Sequence, residues 1–168
     1  MNDALRELFR HNAWATRELL AFCEDLSDEQ LGASGTGSFG TILEALNHIV
    51  WPDANYLRTL TGNEPDWLKG GETDNLKELS ARVDESEDRW NRFLSDPVDA
   101  DRVLLVDDGE NAVRAGVIIA QAIHHGNHHR EQICAMLTGL GFEPPDIQAW
   151  EYGWKTGRLW AMNGGQER

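Results

Sequence analysis

The sequence predicts an all-α protein, a four-helix bundle with a short C-terminal helix and a small β-hairpin before the fourth long helix. Three observations carry that expectation. Four segments of roughly 20 residues show apolar side chains at three- and four-residue steps, and a helix of that length spans about 30 Å, a bundle dimension. Stretches rich in Gly, Pro and Asp separate them. The 168 residues, 40% hydrophobic and 26% charged, suit one globular domain spanning 1–168.

The first segment runs from Asp3 to Leu26, with Asp3 as N-cap and Leu5, Leu8, Phe9, Leu19, Cys23 and Leu26 on one stripe. Asn12 and Thr16 fall on that stripe where aliphatic residues are expected. After the breaker Gly32–Gly37, Ser38 is the expected N-cap of a second helix reaching Leu60 and stopping at Thr61-Gly62. Its apolar positions include Phe39, Ile42, Leu46, Ile49, Val50 and Leu57, and Pro52 is expected to kink it. Pro65 and Gly70-Gly71 mark a loop. The third helix, Asn75 to Leu94, places Leu76, Val83 and Trp90 on a seam, with charged residues on its solvated faces. Val103–Val106 followed by Asp107-Asp108-Gly109 predicts a strand entering a turn. The fourth helix runs from Arg114 to Leu140 and ends at Gly141. Pro144-Pro145-Asp146 then opens a short helix with Ile147, Trp150 and Trp154 on one face, and Asn163–Arg168 is the expected frayed tail.

Charge narrows the function. Fifteen Lys+Arg against 29 Asp+Glu give a net charge of −14. That balance opposes binding to nucleic acid, whose phosphates require cations, and docking on an anionic membrane. No apolar run approaches the roughly 20 residues that cross a bilayer, and the N-terminus has no signal-peptide core, so a cytoplasmic protein is expected. The two cysteines, Cys23 and Cys134, suit a reducing compartment and are expected to be small buried hydrophobes.

The informative segment is Ala122-Ile-His-His-Gly-Asn-His-His-Arg-Glu-Gln-Ile133, which holds four of the six histidines. They form two i, i+4 pairs, His124/His128 and His125/His129. Four residues advance a helix by about 400°, so each pair stacks on nearly one face and can chelate one ion. At about 100° per residue, His125 and His129 share the apolar side with Ile118, Ala122, Ile133 and Met136. His124 and His128 lie with Gln121, Glu131 and Gln132, toward solvent. Inward imidazoles need an acceptor or donor for their nitrogens, and a metal ion, a buried carboxylate or a carbonyl would serve. A third ligand would come from His11 or His48; both lie at the margin of their apolar stripes, and spacing does not choose between them.

Three stretches together resemble the DinB-like family, which belongs with the mycothiol-dependent maleylpyruvate isomerases. They are Arg10-His-Asn-Ala-Trp-Ala15, Gly40-Thr-Ile-Leu-Glu-Ala-Leu-Asn-His-Ile-Val-Trp51 and Ile123-His-His-Gly-Asn-His-His-Arg-Glu-Gln-Ile133. The likeness covers nearly the whole chain and implies a divalent-metal site at His48, His125 and His129. Glu131 departs from the Gly that many members carry after the Arg of the last stretch. The resemblance also implies a homodimer, for which the aromatic C-terminal segment is a candidate contact.

Three neutral imidazoles leave the +2 charge of Zn or Ni uncancelled and at least one coordination position open, which suits Lewis-acid chemistry. In relatives the open position takes a low-molecular-weight thiol, so S-transfer or thiol-assisted isomerisation of a small-molecule substrate is the expected activity. The alternatives are a non-catalytic metal-binding stress-response protein and a metal-activated-water hydrolase. A metalloprotease is disfavoured, because Gly126 stands where H-E-x-x-H needs its Glu. Asn12 and Thr16 are candidates for bonds to a ligating ring, to substrate or to backbone groups. Most of the seven tryptophans are expected to be core or packing residues, with Trp51 a candidate wall for an apolar substrate.

Overall fold

A computed structural model describes residues 3–162; the expected frayed tail, 163–168, lies outside the described residues. Six helices and one hairpin follow in order: α1 Asp3–Cys23, α2 Asp28–Leu31, α3 Ile42–Thr61, α4 Leu76–Phe93, β1 Val103–Val106, β2 Asn111–Arg114, α5 Ala115–Gly139 and α6 Ala149–Lys155. The four long helices form the bundle. α1 packs on α4 and α5, and α3 packs on the same two, so α1 and α3 stand diagonally opposite, as do α4 and α5. Two connections therefore cross the bundle ends: the α2 segment with its Gly-rich loop, and the hairpin.

Capping chemistry sets the helix starts. Ser27 accepts from the backbone N–H of Gln30 while Gln30 returns a bond to Ser27 N, a capping box that starts the one-turn α2 that periodicity missed. The second long helix begins at Thr41, not at Ser38 as expected. Thr41 Oγ1 accepts from Glu44 N at 3.2 Å, and Glu44 Oε2 accepts from Thr41 N at 2.7 Å. Gly40, at φ +57, leaves the space that the returning Glu44 carboxylate fills. Ser38 instead closes a turn on Gly35, and Phe39 is displaced from the helix into the loop. α3 continues past Pro52, whose missing N–H removes the helical partner of the His48 carbonyl. The hairpin forms as expected, with Val103 opposite Arg114 and Val106 opposite Asn111. Arg102 fastens it to the end of α3 by donating to Leu60 O at 2.5 Å.

Two apolar clusters fill the interior. One gathers Leu19, Leu20, Cys23, Ile42, Leu46, Leu79, Ile133 and Leu137. The other gathers Phe9, Leu57, Leu60, Trp90, Leu94, Ala115, Ile118 and Ile119. Along each long helix, the positions between the clusters carry polar or small residues: Asn12 and Thr16 on α1, Asp53 on α3, Ser86 on α4, and Gly126 and Arg130 on α5.

The C-terminal segment packs against α1. Tyr152 is buried and donates to Glu7 Oε1 at 2.8 Å, and Lys155 pairs with Glu18, which ties α6 to α1. Trp150 and Trp154 point outward, 73% and 53% exposed, and Trp51 and Trp160 are also exposed. Of the seven tryptophans, only Trp14 and Trp90 are core residues and Trp67 is half-buried. Among the described residues, no helix is long and apolar enough to cross a membrane.

Candidate metal centre

The largest helix pair, α3 against α5, brings three imidazoles together at the level between the two apolar clusters. His48 comes from α3, and His125 and His129 come from one face of α5. Ring centroids lie 4.9 Å apart for His48/His125, 4.7 Å for His48/His129 and 4.5 Å for His125/His129. One nitrogen from each ring falls within 4.8 Å of the others. Nitrogens bound to one ion at about 2.1 Å stand roughly 3–3.5 Å apart, so small side-chain rotations close the difference.

Neighbours hold each ring. Asn47 clasps the loop beside His48, donating to Thr73 O at 2.8 Å and accepting from Thr73 N at 2.9 Å. Phe39 lies flat on His48, with centroids 3.7 Å apart and planes 14° from parallel. Tyr56 meets His125 edge-on at 5.8 Å. His129 Nδ1 is 2.8 Å from Gln132 Oε1. Trp51, the candidate wall, donates to Leu68 O at 3.1 Å, and Phe39 and Tyr56 are aromatic rings in contact with the triad.

Electrostatics keep the triad neutral. Burial, reinforced by His129, His48, His128 and His124, pushes His125 down to about 4. Burial also lowers His48 against the opposing pull of the Glu72 carboxylate, and lowers His129 against its bond to Gln132. At neutral pH all three therefore present lone pairs, the state a divalent cation needs.

The other histidines lie elsewhere. His11 bonds Ile147 O at 2.9 Å and packs against Trp14 and Tyr152, so it is committed to the α1–α6 junction. His124 and His128 are exposed, with centroids 6.2 Å apart.

Asn12 and Thr16 face a buried cation, not a ligating ring. They hold Arg130, which is 2% exposed. Its Nη1 donates to Asn12 Oδ1 at 2.8 Å, Asn12 O at 3.2 Å and Thr16 Oγ1 at 3.1 Å. Burial lowers Arg130 to about 10, so it remains a cation at pH 7. Asp53 is its counter-charge. Its Oδ2 accepts from Trp90 Nε1 at 3.0 Å, and enclosure of the carboxylate raises it to about 6. Asn12, Thr16, Asp53, Ser86, Trp90 and Gly126 line a cavity of about 20 Å³ at this level. Arg130 follows His129 directly, so the polar layer and the triad share one turn of α5.

Sequence reasoning missed two residues here. Arg130 had no signal of burial, since its partners lie on α1. Periodicity groups Gln132 with the outward pair, although its i, i+3 relation to His129 places it within reach of that ring.

A profile of the DinB family matches residues 1–166. The protein named Protein DinB from Bacillus subtilis (strain 168) is 22% identical, over 84% of this chain and 89% of that protein. Among solved structures, Bacillus subtilis YfiT superposes with a TM-score of 0.64 at 17% identity, over 84% of this chain and 90% of that one. YfiT is described as a probable metal-dependent hydrolase with an unusual four-helix bundle topology. At that identity the likeness concerns the fold.

Proposed function

The chain belongs to the DinB family, and from that premise we propose that it is a divalent-metal-dependent enzyme that activates a low-molecular-weight thiol for S-transfer or isomerisation of a small electrophile. The observation that carries the proposal is the convergence of His48, His125 and His129 from two helices with their lone pairs available. The donor set fits the group: three neutral imidazoles suit Zn or Ni and leave its charge uncancelled. An ion held there supplies a Lewis acid that acidifies a thiol or a water at its remaining position.

The chain's own residues define what surrounds that position. Phe39 stacked on His48 and Tyr56 against His125 offer apolar surface to the organic part of a substrate. Depressed affinity for protons leaves the imidazole lone pairs free for a metal above about pH 6.5. Cys23 and Cys134 do not supply the thiol: burial pushes them up to about 12 and about 11. The sulfur nucleophile in this reading therefore comes from solution.

The description of YfiT supports a second reading, a hydrolase in which water takes the thiol's place. Metal-loaded protein incubated with monochlorobimane and a panel of thiols, beside a panel of activated esters and amides without thiol, separates the two. Turnover of the bimane with a particular thiol is the expected result. Hydrolysis alone would favour the second reading, and no turnover of either kind with full metal would end both. Pairing as a homodimer belongs to the same proposal, supported by the exposed indoles of Trp150 and Trp154. Sedimentation of wild type against Trp150→Ser/Trp154→Ser tests it; equal monomer masses would refute it.

A further inference from the structure

Gln132 makes four polar contacts with its single amide. Oε1 accepts from the backbone N–H of Phe39 at 3.2 Å and lies 2.8 Å from His129 Nδ1. Nε2 donates to Gly37 O at 3.2 Å and lies 3.1 Å from His128 Nε2. Two of these partners have no choice of role. A backbone N–H only donates and a carbonyl only accepts, so Phe39 and Gly37 fix which end of the amide is oxygen and which is nitrogen.

The protons on both histidines follow. Facing an oxygen, His129 Nδ1 must carry its hydrogen, which leaves the lone pair on Nε2. Facing an N–H, His128 Nε2 must accept, which puts the hydrogen of that ring on Nδ1. The loop consequence is equally direct. The ring stacked on His48 belongs to Phe39, and Gln132 bonds the backbone at Gly37 and Phe39, so the amide that faces one imidazole also anchors the loop whose ring covers another.

We propose that Gln132 is the positioning residue of the triad: it locks His129 as the Nδ1–H tautomer with Nε2 presented inward, and it pins the 37–39 loop that seats Phe39 on His48. The inference rests on the metal-site reading above. Groups that orient a ligating imidazole are typically worth 10–100-fold in metal affinity. Loss of Gln132 acts on two of the three ligands at once, one by tautomer and one by packing.

Gln132→Ala and Gln132→Glu separate the two actions. The carboxylate of Gln132→Glu still accepts from His129 and Phe39 but has no hydrogen for Gly37. Three readouts are needed: Zn²⁺ affinity by competition with a chromophoric chelator, 15N shifts of His129 in the metal-free protein, and amide exchange at Phe39. Gln132→Ala should bind Zn²⁺ about 10–100-fold more weakly, show mixed His129 tautomers and exchange faster at Phe39. Gln132→Glu should keep the Nδ1–H tautomer and recover most of the affinity while the loop exchanges faster than in wild type. Wild-type affinity and an unchanged tautomer in Gln132→Ala would overturn the inference. Failure of wild type to take up Zn²⁺ would instead remove the metal-site reading, and the 15N shifts of the metal-free proteins would still decide the role of Gln132.

Discussion

Gly126→Ala sets two effects of known size against each other. In a helix interior, replacing Gly by Ala stabilises by about 1 kcal/mol when the site has room. Gly126 has none: an added Cβ would stand 2.7 Å from Asn12 Oδ1 and 3.0 Å from Arg130 Nη1. Those two atoms bond each other at 2.8 Å. The methyl must therefore part a buried, charge-assisted hydrogen bond worth about 1.5–3 kcal/mol. The clash should win, leaving a net loss of about 0.5–2 kcal/mol, or roughly 1–8 °C in Tm for a chain of this size. Urea unfolding of metal-free protein reads it as a lower midpoint with an unchanged slope. Gly139→Ala is the control, because no atom lies within 4 Å of its added Cβ and the propensity gain is unopposed. If Gly126→Ala were stabilised as Gly139→Ala is, the bond network around Arg130 would contribute nothing and the argument would fail.

Removal of a triad member has a simpler readout. His129→Ala purified without an affinity tag should lose its stoichiometric divalent ion by elemental analysis, whereas His124→Ala/His128→Ala should retain it; a full complement in His129→Ala refutes the site. The raised Asp53 carboxyl gives a pH signature. Its folded value, about 6, exceeds the ordinary 3.8, so its contribution is present below 3.8 and is lost as pH rises through 6, by about 3 kcal/mol. His125, lowered to about 4, acts oppositely and removes stability as pH falls below 6.5. Asp53→Asn should therefore leave a profile that only falls toward acid, and an unaltered profile between pH 4 and 6.5 would contradict the assignment. Finally, with both thiols held at or above about 11, the native protein should resist a thiol-specific disulfide reagent at pH 8 until denaturant is added; prompt reaction of Cys23 would refute its burial.

The helical frame was legible because a bundle writes its core as a 3.6-residue period, and α1, α3, α4 and α5 each bury such a stripe. Local chemistry explains where the boundaries slipped. Thr41-x-x-Glu44 completes a reciprocal cap, whereas Ser38 has Thr41 at the matching position, so the helix starts three residues later than the first polar candidate. The inward pair, His125 and His129, followed from periodicity. The choice between His11 and His48 did not, since both sit at the edge of a stripe and only the packing of α3 on α5 and of α6 on α1 separates them. Arg130 was less legible still, because the groups that satisfy it are 114 and 118 positions away. A long-range hydrogen bond leaves no local periodicity.

The buried guanidinium also serves as a key for alignment. Slide α5 by one turn past α1, and the cation would keep only one of Asn12 and Thr16, with Leu8 or Leu20 in place of the other, a penalty on the order of 1.5–3 kcal/mol. Alternative registers of an oily bundle usually differ by far less. Because the next residue back is His129, the turn that seats the charge also decides where the imidazole stands along the axis. A fault-tolerant aliphatic interior is thereby given one fixed register for the turn that carries the inward imidazoles.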